Sequence, residues 1–219
     1  MSWLVCAYFT QDQIYTKHAM RLIESLKKFG IPYDVTPIDS LNDWYKAMQY
    51  KPKFLQDMLA KYPGHSIVYV DVDAIFCRYP DLFDTIHKTM MGVNIAAYVL
   101  DHSQFRRKNA APELLSGTIF LRNTEETSII LREWILELDK DSKLWDQCGL
   151  FKVLKEHSFY TLPPEYCTIF DYMSSVENPV IKHFQASREA RSAYRSRMPK
   201  HKVKRVSGNS IVRISRIHN

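Results

Sequence analysis

Apolar positions along the chain alternate between short unbroken blocks and stretches with helical spacing. Residues 4–9, Leu-Val-Cys-Ala-Tyr-Phe, form a continuous apolar block followed by polar Thr10-Gln11-Asp12-Gln13, which predicts a buried strand and its exit loop. Ala19, Leu22, Ile23 and Leu26 then recur at helical spacing over about residues 15–29, and Gly30 with Pro32 supplies the stop. Strand, polar loop and amphipathic helix open a βαβ unit. Residues 33–38 read as a second strand, and Phe54, Leu55, Met58, Leu59 and Tyr62 mark a helix over residues 52–62, ended by Gly64.

That helix delivers the chain into residues 67–76, Ile-Val-Tyr-Val-Asp-Val-Asp-Ala-Ile-Phe, an apolar β-rich run that predicts a buried parallel strand with two carboxylates at its exit. Side chains two residues apart on a strand share a face, so Asp71 and Asp73 are expected together at the carboxyl edge, where open α/β sheets take their ligands. Two hard oxygen donors leave most of a cation's shell to water and phosphate oxygens, the usual way of holding Mg²⁺ or Mn²⁺. The competing reading is an acidic turn whose aspartates only cap the next element. A D-x-D pattern alone does not choose between them.

Downstream, residues 94–100 and 118–121 read as strands separated by a polar loop containing Arg106, Arg107 and Lys108. Asn123 with Glu126 has the spacing of a helix start, and Ile130, Trp134, Ile135 and Leu138 continue one apolar face. Next in order are a helix over residues 146–156, a short strand at 160–162, a Pro163-Pro164 break and a last core strand over 180–184. The remainder suggests a short helix near 188–198 and a basic hairpin around Ser207-Gly208-Asn209-Ser210.

The chain has 219 residues, 46% of them hydrophobic, enough for one substantial core. The expected organisation is an α/β body over residues 1–185 and a basic extension over 186–219. The net charge of +6 is uneven: residues 186–219 hold ten Lys and Arg against Glu189 alone, leaving the body mildly acidic. Such a tail fits a polyanionic partner, either nucleic acid or an anionic lipid surface, and equally a solvated end that aids solubility. The start resembles no signal peptide and no run is long enough to cross a bilayer, so a cytoplasmic protein, or one resting on a membrane from that side, is expected. Cys6, Cys77, Cys148 and Cys167 show no C-x-x-C spacing, which points to reduced thiols rather than a zinc knuckle or redox pair.

Several stretches in order resemble the metal-dependent nucleotide-sugar glycosyltransferases of the GT-A fold, and within them the retaining group that includes glycogenin and the bacterial lipopolysaccharide glucosyl- and galactosyltransferases. They are Ala7-Tyr8-Phe9-Thr10, Lys53 ahead of the helix into Val70-Asp71-Val72-Asp73-Ala74, Ser116-Gly117-Thr118-Ile119-Phe120-Leu121, Asp146-Gln147, Leu162-Pro163 and Lys182-His183-Phe184. The resemblance implies a Rossmann-like body with a central, mostly parallel sheet. It implies that Asp73 ligates Mn²⁺ or Mg²⁺, that Asp71 contacts the ribose or the metal, and that His183 adds a ligand. Tyr8 and Thr10 would hold the nucleotide, Lys53 and Arg188 the diphosphate, and Ser116-Gly117 would let the backbone approach the sugar. Asp146 and Gln147 would face the donor sugar and carry the chemistry.

Each assignment has a plainer alternative: a core tyrosine at Tyr8, a solvated lysine at Lys53, a helix cap at Asp146, a hydrogen-bonded core histidine at His183. The segment after His183-Phe184 also departs from the group's Gly and Lys-Pro-Trp pattern, with Arg188 as the substitute cation. The expected activity is transfer of a hexose or pentose from a nucleoside-diphosphate sugar, a UDP-sugar by resemblance, to a hydroxyl on a surface glycan, a lipopolysaccharide or a hydroxylated DNA base. The alternatives are a nucleic-acid-binding protein on a degenerate transferase fold and a metal-dependent nucleotidyltransferase.

Overall fold

The computed structural model describes residues 3–41, 43–105 and 110–190. The basic loop at Arg106 to Lys108, most of the expected 188–198 helix and the whole expected hairpin lie outside the described residues.

The chain begins with β1 (Trp3–Thr10), α1 (Gln13–Lys28) and β2 (Tyr33–Ile38), the βαβ opening that the spacing predicts. The Asp12 carboxylate accepts the Ile14 and Tyr15 amides at the start of α1, and Gly30 leaves the helix at φ +63°, where a side chain would be strained. Next come α2 (Trp44–Gln49), α3 (Lys51–Lys61), β3 (Ser66–Val70), β4 (Ala74–Phe76) and α4 (Asp81–Thr89). The second half holds β5 (Ile95–Leu100), β6 (Glu113–Leu121), α5 (Glu125–Asp139), α6 (Asp146–Val153), β7 (Tyr160–Thr161), β8 (Thr168–Ile169) and β9 (Ile181–His183).

Six strands form one sheet in the order β2-β1-β3-β6-β5-β7. All run the same way except β6, which is antiparallel to both its neighbours. A mixed α/β body with a central, mostly parallel sheet is therefore the fold. Alternation splits the core into two layers: Trp3, Val5, Ala7, Val68 and Val70 pack on the side of α1 and α4, while Leu4, Cys6, Ile67 and Tyr69 pack on the side of α3, α5 and α6.

Two features of this sheet build the site. The single strand expected over residues 67–76 is instead two: the Asp71 carbonyl accepts the Ala74 amide at 2.9 Å, the chain turns, and β4 joins β9 and β8 in a separate three-stranded sheet. Asp71 and Asp73 thus lie on a turn between sheets, not along one strand face. The second feature is a bulge in β6. The pairing with β5 jumps from Ala97 opposite Ile119 to Tyr98 opposite Leu115, leaving Ser116, Gly117 and Thr118 without opposites on that side. The side-chain parity confirms it, since Leu115 and Phe120 share a core layer although five residues apart.

Helices α2 and α4 were absent from the sequence expectation. Residues 186–190 are helical and pack on the body, with Ala186 fully buried, so the structured body extends past residue 185.

Candidate active site

The carboxyl ends of β1, β3 and β5 and the beginning of the reversed β6 open on one cavity of about 930 Å³. Its size is at the upper end for small-molecule sites, and its position is where open α/β sheets bind ligands.

At one pole stand Asp71, Asp73 and His183. The cavity reaches the backbone here because residue 117 is a glycine: a Cβ on Gly117 would lie 3.1 Å from His183 Cε1 and 3.3 Å from both Asp71 Oδ2 and His183 Nδ1. His183 is buried, its Nε2 is 2.9 Å from Thr118 Oγ1, and its Nδ1 is 3.6 Å from Asp73 Oδ1. The Ala186 amide donates to Asp73 Oδ2 at 2.7 Å. Burial opposes the charged form of Asp73, yet His183 and that amide hold its carboxyl below the usual range. For His183 burial lowers the pKa, but Cys167 and Asp73 outweigh it and raise it. Among the described residues no group of three or more His, Cys, Asp or Glu side chains is placed to hold a metal ion by itself.

The middle of the cavity holds a buried ion network that the sequence expectation missed. Lys51, 4% exposed, reaches Asp146 Oδ2 at 2.6 Å and Asp71 Oδ1 at 3.2 Å, and donates to Ser116 Oγ at 3.0 Å. Ser116 Oγ donates in turn to Asp146 Oδ2 at 2.7 Å. Burial penalises the ammonium, but Asp146 and Asp71 more than offset this and raise the Lys51 pKa, so it stays charged. The Tyr69 hydroxyl donates to Asp71 Oδ1 at 2.9 Å, and the buried network leaves no side-chain polar atom unpaired. The N-cap of α6 is Trp145, and Asp146 follows it as an acidic first-turn residue rather than as the cap itself.

Of the residues expected from sequence, Tyr8, Thr10, Asp71, Asp73, Ser116, Gly117, Asp146, Gln147, His183 and Arg188 all line this cavity. Tyr8 donates its hydroxyl to the Ala47 carbonyl at 2.8 Å within a cluster with Tyr50, Phe54 and Tyr69. Thr10 donates to Asp12, and Arg188 pairs with Asp171 at 2.6 Å on the rim. Lys53 is not brought there: it stands exposed on α3 in an i,i+4 pair with Asp57. The lysine that enters the cavity is Lys51. At the far end Gln147 Nε2 donates to Glu113 Oε1, while His102 bridges Glu113 and the Tyr172 hydroxyl.

Comparison with known proteins agrees with this architecture. The family described as nucleotide-diphospho-sugar transferase matches residues 36–203, and the chain belongs to it. No curated protein matches the chain. Among solved structures it is similar to a glycosyltransferase involved in glycosylation of the major capsid of PBCV-1, at 12% identity and TM-score 0.66, covering 90% of this chain and 100% of that one. It is also similar to mouse xyloside xylosyltransferase 1 in its apo form, at 13% identity and TM-score 0.53, covering 85% and 99%. A third likeness is GlyE of Streptococcus pneumoniae TIGR4, apo form, at 15% identity and TM-score 0.55, where 82% of this chain spans 54% of the longer one. The protein is a glycosyltransferase that uses a nucleoside-diphosphate sugar.

Proposed function

We propose that the chain transfers a hexose or pentose from a UDP-sugar, with a divalent cation and retention at the anomeric carbon, to a hydroxyl of a surface glycan or lipopolysaccharide. The observation that carries the metal reading is the gathering of Asp71 Oδ2 and the His183 ring over the bare backbone of Gly117, with Asp73 against the same imidazole. Two carboxylates and an imidazole whose other nitrogen is already bonded to Thr118 suit Mn²⁺ or Mg²⁺ in an open site. The cage is incomplete in protein ligands, which fits a cation that also takes phosphate oxygens and water. When bound, it would supply Lewis-acid stabilisation of the departing diphosphate.

The chain's own residues account for the rest. Lys51 fixes the Asp146 and Asp71 carboxylates in place, so their remaining lone pairs are aimed before the sugar arrives. Asp146 and Gln147, on the first turn of α6, are disposed to hydrogen-bond donor hydroxyls and orient the anomeric carbon. Ser116-Gly117 gives the sugar close access to the backbone. Tyr8 and Thr10 at the end of β1 are assigned to the nucleotide, and Arg188 on the rim to the diphosphate. Retention rests on the family resemblance and is read directly from the anomeric proton coupling of the first product.

The test is hydrolysis of a panel of UDP-sugars with and without Mn²⁺. The parent is expected to turn over one donor only with metal, and Asp73→Asn and His183→Ala are expected to lose about 100-fold or more. Metal-independent turnover, or turnover surviving both substitutions, would overturn the metal assignment.

A further inference from the structure

The same cavity carries a second constellation, of Glu113, His102 and Tyr172, that meets the donor-facing pair at Gln147. Both oxygens of Glu113, the first residue of β6, accept hydrogen bonds: one from Gln147 Nε2 and one from His102 Nε2 at 3.0 Å. A carboxylate only accepts, so His102 carries a proton on Nε2, and its Nδ1 lies 2.9 Å from the Tyr172 hydroxyl. His102 is 6% exposed and rigidly seated, while the Glu113 side chain is 40% exposed into the cavity. Each carboxylate oxygen has a second lone pair, so Glu113 can accept two more hydrogen bonds from a ligand. Trp145, the residue before Asp146 and two before Gln147, lines the same cavity with 43% of its surface exposed.

The order of these groups along β6 gives them a place in the reaction. Gly117 faces the Asp71 and His183 pole, Ser116 holds Asp146, and Glu113 holds Gln147. Glu113 and Gly117 are four residues apart, at most about 13 Å on an extended strand, so the acid-amide pair stands between the phosphate pole and Glu113. A ligand at Glu113 therefore sits next to the transferred sugar on the side away from the His183 pole.

We propose that Glu113, buttressed by His102 and Tyr172 and flanked by Trp145, is the acceptor subsite, and that the acceptor group it takes is a pyranose. A pyranose presents hydroxyls at its edge and C–H groups on its face. The first suit a fixed carboxylate and the second suit an indole, and neither an isolated phosphate nor a lipid chain satisfies both. This rests on the sugar-transfer reading above and names the residues that would hold its glycan acceptor.

The experiment has two readouts, so that the subsite and the donor chemistry fail separately. Ligand-observed NMR with a set of p-nitrophenyl glycosides, run on the full chain without donor, measures binding alone. At least one glycoside is expected to bind the parent, with affinity falling about tenfold or more in Trp145→Ala and Glu113→Ala. Glu113→Gln, which can still accept a hydrogen bond, is expected to recover part of the loss. Retained circular dichroism and melting temperature certify the fold, and a variant that fails this check is replaced by Trp145→Leu or His102→Gln. In the second readout, transfer from the UDP-sugar that the parent hydrolyses, Trp145→Ala raises the acceptor KM while the donor KM stays within about twofold, and Glu113→Ala raises the acceptor KM by more than it changes the donor KM, which Glu113 touches through Gln147. Glycoside binding unaffected by Trp145 and Glu113 overturns the subsite, as does transfer to duplex DNA with no glycoside bound or used. Glycoside binding that shows the expected pattern without any donor turnover upholds the subsite and sinks the donor reading instead.

Discussion

Lys51 shows how one residue governs the centre of the site. It is buried together with Asp146, and a buried pair broken on one side leaves an uncompensated charge, at a cost of about 3–5 kcal/mol. Lys51→Met is accordingly expected to lower unfolding stability by about that much in urea titration, whereas Lys53→Met, which removes an exposed pair, should change it by less than about 0.5 kcal/mol. Choosing Lys53 from the sequence relied on its place before the aspartate-bearing strand, yet helical geometry held the better answer. Lys51 lies three, four and seven residues before Phe54, Leu55 and Met58, the buried face of α3, while Lys53 is three and four residues from Gln56 and Asp57 on the wet face. A cation on an apolar stripe must find partners inside, and Lys51 finds Asp146.

At the scale of elements, strands and long helices were legible because burial imposes a period, and short or turn-bound pieces were not. Helix α4 carries only Phe83 and Ile86 into the core, too few positions to fix a repeat. The bulge in β6 left no mark in composition, because its three residues are an ordinary Ser-Gly-Thr inside an apolar run, and only the pairing reveals why Gly117 faces His183. The contact between α5 and the turn after α6 has its own consequence. His157 sits 2.7 Å from both Glu126 and Glu133, whose carboxylates raise its pKa above the ordinary 6.5, against the lowering by partial burial. A raised folded-state pKa gives stability that is complete below the unfolded value and is lost as pH rises through the folded value. Urea midpoints of the parent should therefore fall over that interval above pH 6.5, and His157→Gln should flatten the dependence.

For the molecule as a whole, the family and the mixed sheet were readable from the order of the motifs, and the shared cavity of the two aspartates, Gly117, Asp146 and His183 is where that order leads. What the order could not give was their spatial sequence, since that depends on a strand running backwards and on a turn between two sheets. Charge is also a property of this scale. Residues 186–219 carry ten basic side chains on an otherwise acidic chain, so binding to phosphatidylglycerol vesicles should weaken steeply between low and physiological salt. Changing Lys200, Lys202, Lys204 and Arg205 to Glu is expected to abolish cosedimentation, and retention by that variant would remove the tail from any role at a surface. Among the described residues no helix is long and apolar enough to cross a membrane.

The reversed direction of β6 carries one more implication. Because its first residues, not its last, reach the functional edge of the sheet, Glu113, Leu115, Ser116 and Gly117 line the cavity in chain order, a ruler that on the proposed assignment runs from one substrate to the other. The segment that feeds its zero mark supplies His102 to Glu113, whereas the opposite end is paired with β3 and meets His183 through Thr118. Divergence in what receives the sugar can then proceed by rewriting that single connection, while the machinery that grips the nucleotide is inherited intact.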